Sequence, residues 1–130
     1  MISLLKKYFH HIYYALGWSL VILILLSLPG SMLPEEKVLN IPNLDKIVHV
    51  GLFGGFVLLW CTYIASKHLE MKRRLVLFFC IFAIGCLYGT GMEFVQKYFI
   101  PSRDFELGDI LADVVGASLG YGFCNIFLVV

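Results

Sequence analysis

Seven polar residues interrupt or border the long apolar runs of this chain: Lys46, His49, Glu93, Gln96, Arg103, Asp109 and Asp113. Their types are those of a binding or proton-handling site. Lysine, histidine and arginine can donate to an anionic or sugar-bearing group. Glutamate and aspartate can orient those donors, accept hydrogen bonds or take a proton, and glutamine can do either. Lys46 and His49 are three apart, as are Glu93 and Gln96, and Asp109 and Asp113 are four apart, so on helices each pair shares one face. An ionisable group at the centre of a membrane helix costs about 2.5–3.5 kcal/mol on insertion scales. Several together mark the place where function is to be sought.

Each residue also has a plainer reading. Asp109 can cap a helix, Lys46 and Lys97 can snorkel to the interface, and His49 can be a hydrogen-bonded packing residue. Glu93 lies about 27 Å along a helix from Leu75 at 1.5 Å per residue, near a membrane face rather than mid-bilayer. A carboxylate there needs a cation or donors, and Arg103 or Lys46 is the expected partner. His49, Glu93, Asp109 and Asp113 are suitable metal ligands, but their spacing matches no H-E-x-x-H pattern, and Lys46 and Arg103 would repel a cation. No metal and no cofactor is expected. The chain has no Gly-rich phosphate loop, no G-x-S-x-G and no Cys–His arrangement.

The elements that must position these residues are read from composition. Of 130 residues, 60% are hydrophobic and 15% charged, with a mean hydropathy of +0.87. A soluble domain of this size needs more polar surface. A net charge of +1 makes no case for nucleic acid. Cys61, Cys80, Cys86 and Cys124 all lie inside apolar runs, which fits small buried hydrophobes rather than a disulfide framework or zinc knuckle. Four runs reach the ~20 residues needed to cross ~30 Å of hydrocarbon: about 12–33, 47–66, 75–99 and 110–130. The prediction is an all-α polytopic membrane protein, one domain over residues 1–130, with four transmembrane helices in a short-loop antiparallel bundle. Lys6 and Lys7 precede the first run as in a signal peptide. That run is too long for an h-region, however, and Pro29-Gly30-Ser31-Met32 is a poor cleavage site. Pro29 should kink this helix or end it early.

Gly51/Gly55, Gly85/Gly89 and Gly116/Gly120 each form G-x-x-x-G, which lets membrane helices approach closely. The last three helices should therefore pack together, while the first, with a lone Gly17, should face lipid more. Lys6, Lys7, Lys67, Lys72, Arg73 and Arg74 lie on one side with only Glu70 as an acid. Lys37, Lys46, Lys97 and Arg103 lie on the other with Glu35, Glu36, Asp45, Glu93, Asp104, Glu106, Asp109 and Asp113. The positive-inside rule puts the basic side and both termini in the cytoplasm. The polar residues then belong to the outer face. Tyr13, Tyr14, Trp18, Tyr63 and Tyr98 suit interfacial belts.

Three blocks carry a resemblance covering about residues 43–120. Asp45-Lys46-Ile47-Val48-His49 is similar to the D-K-x-x-H block of the VanZ-like family of bacterial membrane proteins. Glu93-Phe94-Val95-Gln96 resembles its E-x-x-Q block. Arg103 followed by Asp109, Asp113, Gly116 and Gly120 resembles its R…D-x-x-x-N-x-x-G-x-x-x-G block, with Asp113 where the family often has Asn. The resemblance implies an integral protein of the bacterial plasma (inner) membrane, linked in some members to glycopeptide (teicoplanin-type) resistance. It implies no settled chemistry.

The first functional reading is a cell-envelope protein. Lys46, His49 and Arg103 would meet a lipid-linked wall precursor or an anionic lipid headgroup, oriented by Glu93, Gln96, Asp109 and Asp113. The second is an intramembrane enzyme on such a lipid, with His49 or Glu93 as acid or base. The third is a proton-linked carrier using Glu93 and Asp113, for which four helices are a thin scaffold unless they form a homo-oligomer.

Overall fold

Apolar segments without water must satisfy their backbone groups internally, and a helix does so within one segment. The computed structural model, which describes residues 1–32 and 42–129, is helical accordingly. Its helices are α1 (Ile2–Tyr8), α2 (Ile12–Leu26), α3 (Leu44–Ala65), α4 (Met71–Phe99) and α5 (Leu107–Phe127), with a 3-10 turn at Gly30–Met32. There is no strand among the described residues.

Helices α3, α4 and α5 are each long and apolar enough to cross a membrane. The expected fourth crossing differs. α1 and α2 pass the same test only as a pair, bent by 87° at the break between them. α2 alone has 15 residues, about 22 Å of helix. It stops at Leu26, ahead of Pro29, so the early ending expected from proline is what is found, and the expected end at Leu33 lies outside the described residues. So do Glu35, Glu36 and Lys37 of the following connection, and Val130.

α3 begins after Asn43, whose φ of 55° is left-handed, a conformation that asparagine tolerates better than most side chains. No side chain caps the helix. Asp45 is an acid in the first turn, where the helix dipole favours negative charge. α5 likewise starts earlier than expected, at Leu107, with Asp109 in its first turn.

α3 and α5 run parallel and form the closest seam of the bundle, with α4 returning between them in sequence. Lys46 meets Asp109, His49 meets Asp113, and Cys61 lies beside Cys124. Between these levels the seam is made of glycine. A Cβ on Gly116 would collide with the Val50 carbonyl oxygen, and one on Gly120 would come to 2.8 Å from that of Gly54. The partner on α3 is therefore Gly54, not the expected Gly51, which has open space around it. Gly55 instead receives the Trp18 ring of α2.

α2 docks through ring donors. Trp18 Nε1 donates to the Leu52 carbonyl at 2.8 Å, Trp60 Nε1 to Ser19 Oγ at 3.0 Å, and Tyr88 Oη to the Ser19 carbonyl at 2.7 Å. Trp18 thus serves a helix contact rather than an interfacial belt, whereas Tyr13 and Tyr98 are exposed. The outer faces are apolar, as lipid requires. On α5, Leu111, Val115, Leu119 and Ile126 are exposed, while Ala112, Gly116, Ala117 and Gly120 turn inward. On α2, Leu16, Leu20, Leu23 and Ile24 are exposed, in keeping with the more lipid-facing first segment. All four cysteines are free; Cys61 and Cys124 are buried as expected, but Cys80 is exposed.

The bundle has two chemically distinct ends. At one, Arg74 donates to the carbonyls of Val129, Lys67 and Leu69, tying the C-terminus of α5 to the α3–α4 turn. At the other end lie the starts of α3 and α5 and the ends of α2 and α4.

Candidate functional site

At this second end, α3 and α5 present their N-terminal turns side by side. Because they are parallel, two positive dipole ends point the same way, and acids collect there. His49 and Asp113 stand one turn deeper than Lys46 and Asp109.

Lys46 forms the rim. Its Nζ donates to Asp45 Oδ2 at 2.9 Å, Glu106 Oε2 at 2.8 Å and Asp109 Oδ1 at 3.1 Å. Gly108 gives its stem passage, since a Cβ there would stand 2.8 Å from Lys46 Cε.

Beneath it lies the buried centre. His49, Glu93, Asp109 and Asp113 are 3%, 0%, 5% and 0% exposed. His49 Nδ1 is 2.6 Å from Asp113 Oδ1. A carboxylate only accepts, so Nδ1–H is the donor and Nε2 is left facing Asp109 Oδ2, 3.7 Å away. Asp109 therefore gives one oxygen to the rim and the other to the centre. Gly89 makes room for Asp113: a Cβ there would lie 2.5 Å from Asp113 Oδ2.

Glu93 does not pair with Arg103 or Lys46, as the sequence led us to expect. Its Oε2 accepts the Glu106 backbone N–H at 3.2 Å. Its Oε1 and Asp113 Oδ2 are buried without any hydrogen-bond partner. Orphaned buried carboxylate oxygens are expensive; the third buried side-chain polar atom without a partner among the described residues is Arg74 Nε, at the opposite end.

Two expected site residues do other work. Arg103 Nε donates to the Leu28 carbonyl at 3.2 Å, and Nη2 lies 3.5 Å from that of Leu25. Gln96 Nε2 donates to the Leu26 carbonyl at 2.9 Å. Both bond carbonyls at or just past the end of α2, where helix carbonyls lack partners one turn on. They hold α2 beside the site and do not face its centre. Two residues outside the expected set join the rim, Asp45 and Glu106. Their signal was available: each is an acid at or next to the first turn of a helix that carries the site.

A bundle of membrane-crossing helices with a buried acid–histidine cluster at one end is the class of protein that this fold and site define. The chain belongs to the VanZ/LLP1 family, whose model matches residues 5–128. It is similar to the uncharacterized protein C11E3.10 of Schizosaccharomyces pombe, at 33% identity over 100 residues, 77% of this chain and 58% of the yeast protein. The chain thus spans little more than half the length of that curated relative. No solved structure matches it significantly.

Proposed function

We propose that this VanZ-like membrane protein binds the headgroup of a membrane lipid or lipid-linked wall precursor at the end of the bundle that carries the cluster. Four buried ionisable side chains meeting at one end of the bundle, two of them with unpartnered oxygens, carry this reading. The basic opposite end would be cytoplasmic by the positive-inside rule, and the site would then lie at the outer face of the membrane.

The charge balance sets the headgroup chemistry. Arg103 is committed to carbonyls and Lys46 to three carboxylates. What the centre offers is acceptors. A headgroup bearing hydroxyl, amide or amine donors, such as an aminosugar or ethanolamine, suits it better than a bare anion. A role in glycopeptide tolerance would follow if the headgroup belongs to a wall precursor. Native mass spectrometry of the purified protein with defined lipids tests this. An adduct preference for phosphatidylethanolamine or an aminosugar lipid over phosphatidylglycerol, lost in Asp113→Ala, is expected. Equal adducts with all lipids, or retention by Asp113→Ala, would overturn it.

The second reading, an intramembrane enzyme, draws on the His49–Asp113 pair. Asp113 holds the imidazole so that Nε2 can take a proton, the geometry of a general base. Turnover of a labelled lipid by purified protein, abolished in His49→Ala, would select this reading over binding alone.

A further inference from the structure

His49, Glu93 and Asp109 bring one nitrogen and two carboxylate oxygens within 4.8 Å of one another. All three residues are more than nine-tenths buried. From this arrangement we infer that the end of the bundle binds a divalent transition-metal ion, with His49 Nε2, Glu93 and Asp109 Oδ2 as its ligands and zinc as the best-matched metal.

Four observations support it. First, ligands about 2.0–2.2 Å from a common ion stand roughly 3.5 Å apart. His49 Nε2 and Asp109 Oδ2 are already 3.7 Å apart. Second, Glu93 Oε1 is fully buried with no partner, a state that a metal–oxygen bond relieves.

Third, Asp113 takes the His49 Nδ1–H at 2.6 Å. A carboxylate on the far nitrogen of a ligating histidine is the usual outer-shell support of a metal site: it fixes the tautomer and raises the basicity of the ligating nitrogen. Fourth, the charges call for a cation. Glu93, Asp109 and Asp113 are buried together, and the rim ammonium of Lys46 is shared with Asp45 and Glu106.

The sequence argued against a metal because Lys46 and Arg103 would repel it. Arg103 is turned away to the end of α2, and Lys46 Nζ engages Asp109 through Oδ1, leaving Oδ2 to the centre. The other acidic group, Asp45, Glu106 and Asp109, has the ammonium among its oxygens and makes no comparable case. One imidazole and two carboxylates form a borderline set suited to zinc more than to calcium or magnesium, which favour oxygen alone. Three protein ligands leave a coordination position open, where a headgroup hydroxyl could attach. The ion goes beyond the lipid reading and is tested without any lipid ligand.

The test uses the full chain, purified in detergent, stripped with chelator and titrated with zinc against a chromophoric competitor. About one zinc per chain is expected, with melting raised on zinc addition. Glu93→Gln should weaken zinc at least tenfold and lose the melting shift. Asp113→Asn should weaken it about 10–100-fold, as loss of an outer-shell partner does. Glu70→Gln, which removes an exposed acid at the opposite end of the bundle, should bind as the wild type does. His49→Ala repeats the test if Glu93→Gln fails to fold. Binding that is unchanged in Glu93→Gln and His49→Ala, or no zinc-dependent melting shift in the wild type, would overturn the inference and leave protons to balance the acids.

Discussion

At the turn between α3 and α4, Arg74 donates through Nη1 and Nη2 to the carbonyls of Val129, Lys67 and Leu69, while its buried Nε has no partner. At the opposite end, Arg103 and Gln96 do the same for the end of α2. Only that end also carries His49, Glu93, Asp109 and Asp113 out of water, with two oxygens unpartnered. One end spends its polar residues on the fold. The other also buries two carboxylate oxygens that no contact in the fold uses, and ionisable groups buried in a membrane protein are a default sign of function.

Four substitutions test this difference between the two ends. Gly116→Leu, in the seam that joins the two ends, would drive a side chain into the Val50 carbonyl. Overpacking against backbone should cost about 3 kcal/mol or more, seen as a large fall in detergent melting temperature. A mild effect would mean that the seam is loose.

Arg74→Ala should cost about 1–3 kcal/mol by stranding three carbonyls at the basic end. Its lipid and zinc binding should be unchanged once folded. A loss of binding with normal melting would show that the basic end is part of the site.

Glu93→Gln should reverse that pattern. It removes a buried carboxylate whose Oε1 has no partner, so melting without added metal should be unchanged or up to about 1 kcal/mol more stable. Binding should be lost. A strongly lowered melting temperature in the stripped protein would mean that Glu93 supports the fold.

Gly17→Leu should change stability by less than about 0.5 kcal/mol, since nothing lies within 4 Å of a Cβ there. An effect near that of Gly116→Leu would erase the distinction between the seam and the lipid-facing α2.

The long helices were legible because hydrocarbon thickness sets their length: α3, α4 and α5 coincide with the expected crossings to within a few residues at each end. The first was legible only in part. It begins at Ile12 and ends early, as Pro29 implied, but the separate α1 ahead of it, and the bend between the two, are not registered by a count of apolar residues. Lys46, His49, Asp109 and Asp113 were legible as a group because helical spacing puts each pair on one face. The roles of Gln96 and Arg103 were not, since they depend on where α2 ends in space. Likewise, Gly51, Gly54 and Gly55 offer overlapping faces, and only packing selects Gly54 for α5 and Gly55 for Trp18.

The parallel seam of α3 and α5 keeps one register along its length: Lys46 with Asp109, His49 with Asp113, Gly54 with Gly120, Cys61 with Cys124. Deleting one residue between Asp113 and Gly116 would turn everything beyond it by about 100°. The glycines and the acids could then no longer face α3 together. Insertions and deletions among related chains should therefore be confined to the connections, whereas α3 and the first turns of α5 keep their lengths. The seam works like a ruler, and a gap in an alignment of relatives would reveal at once where that ruler has been cut.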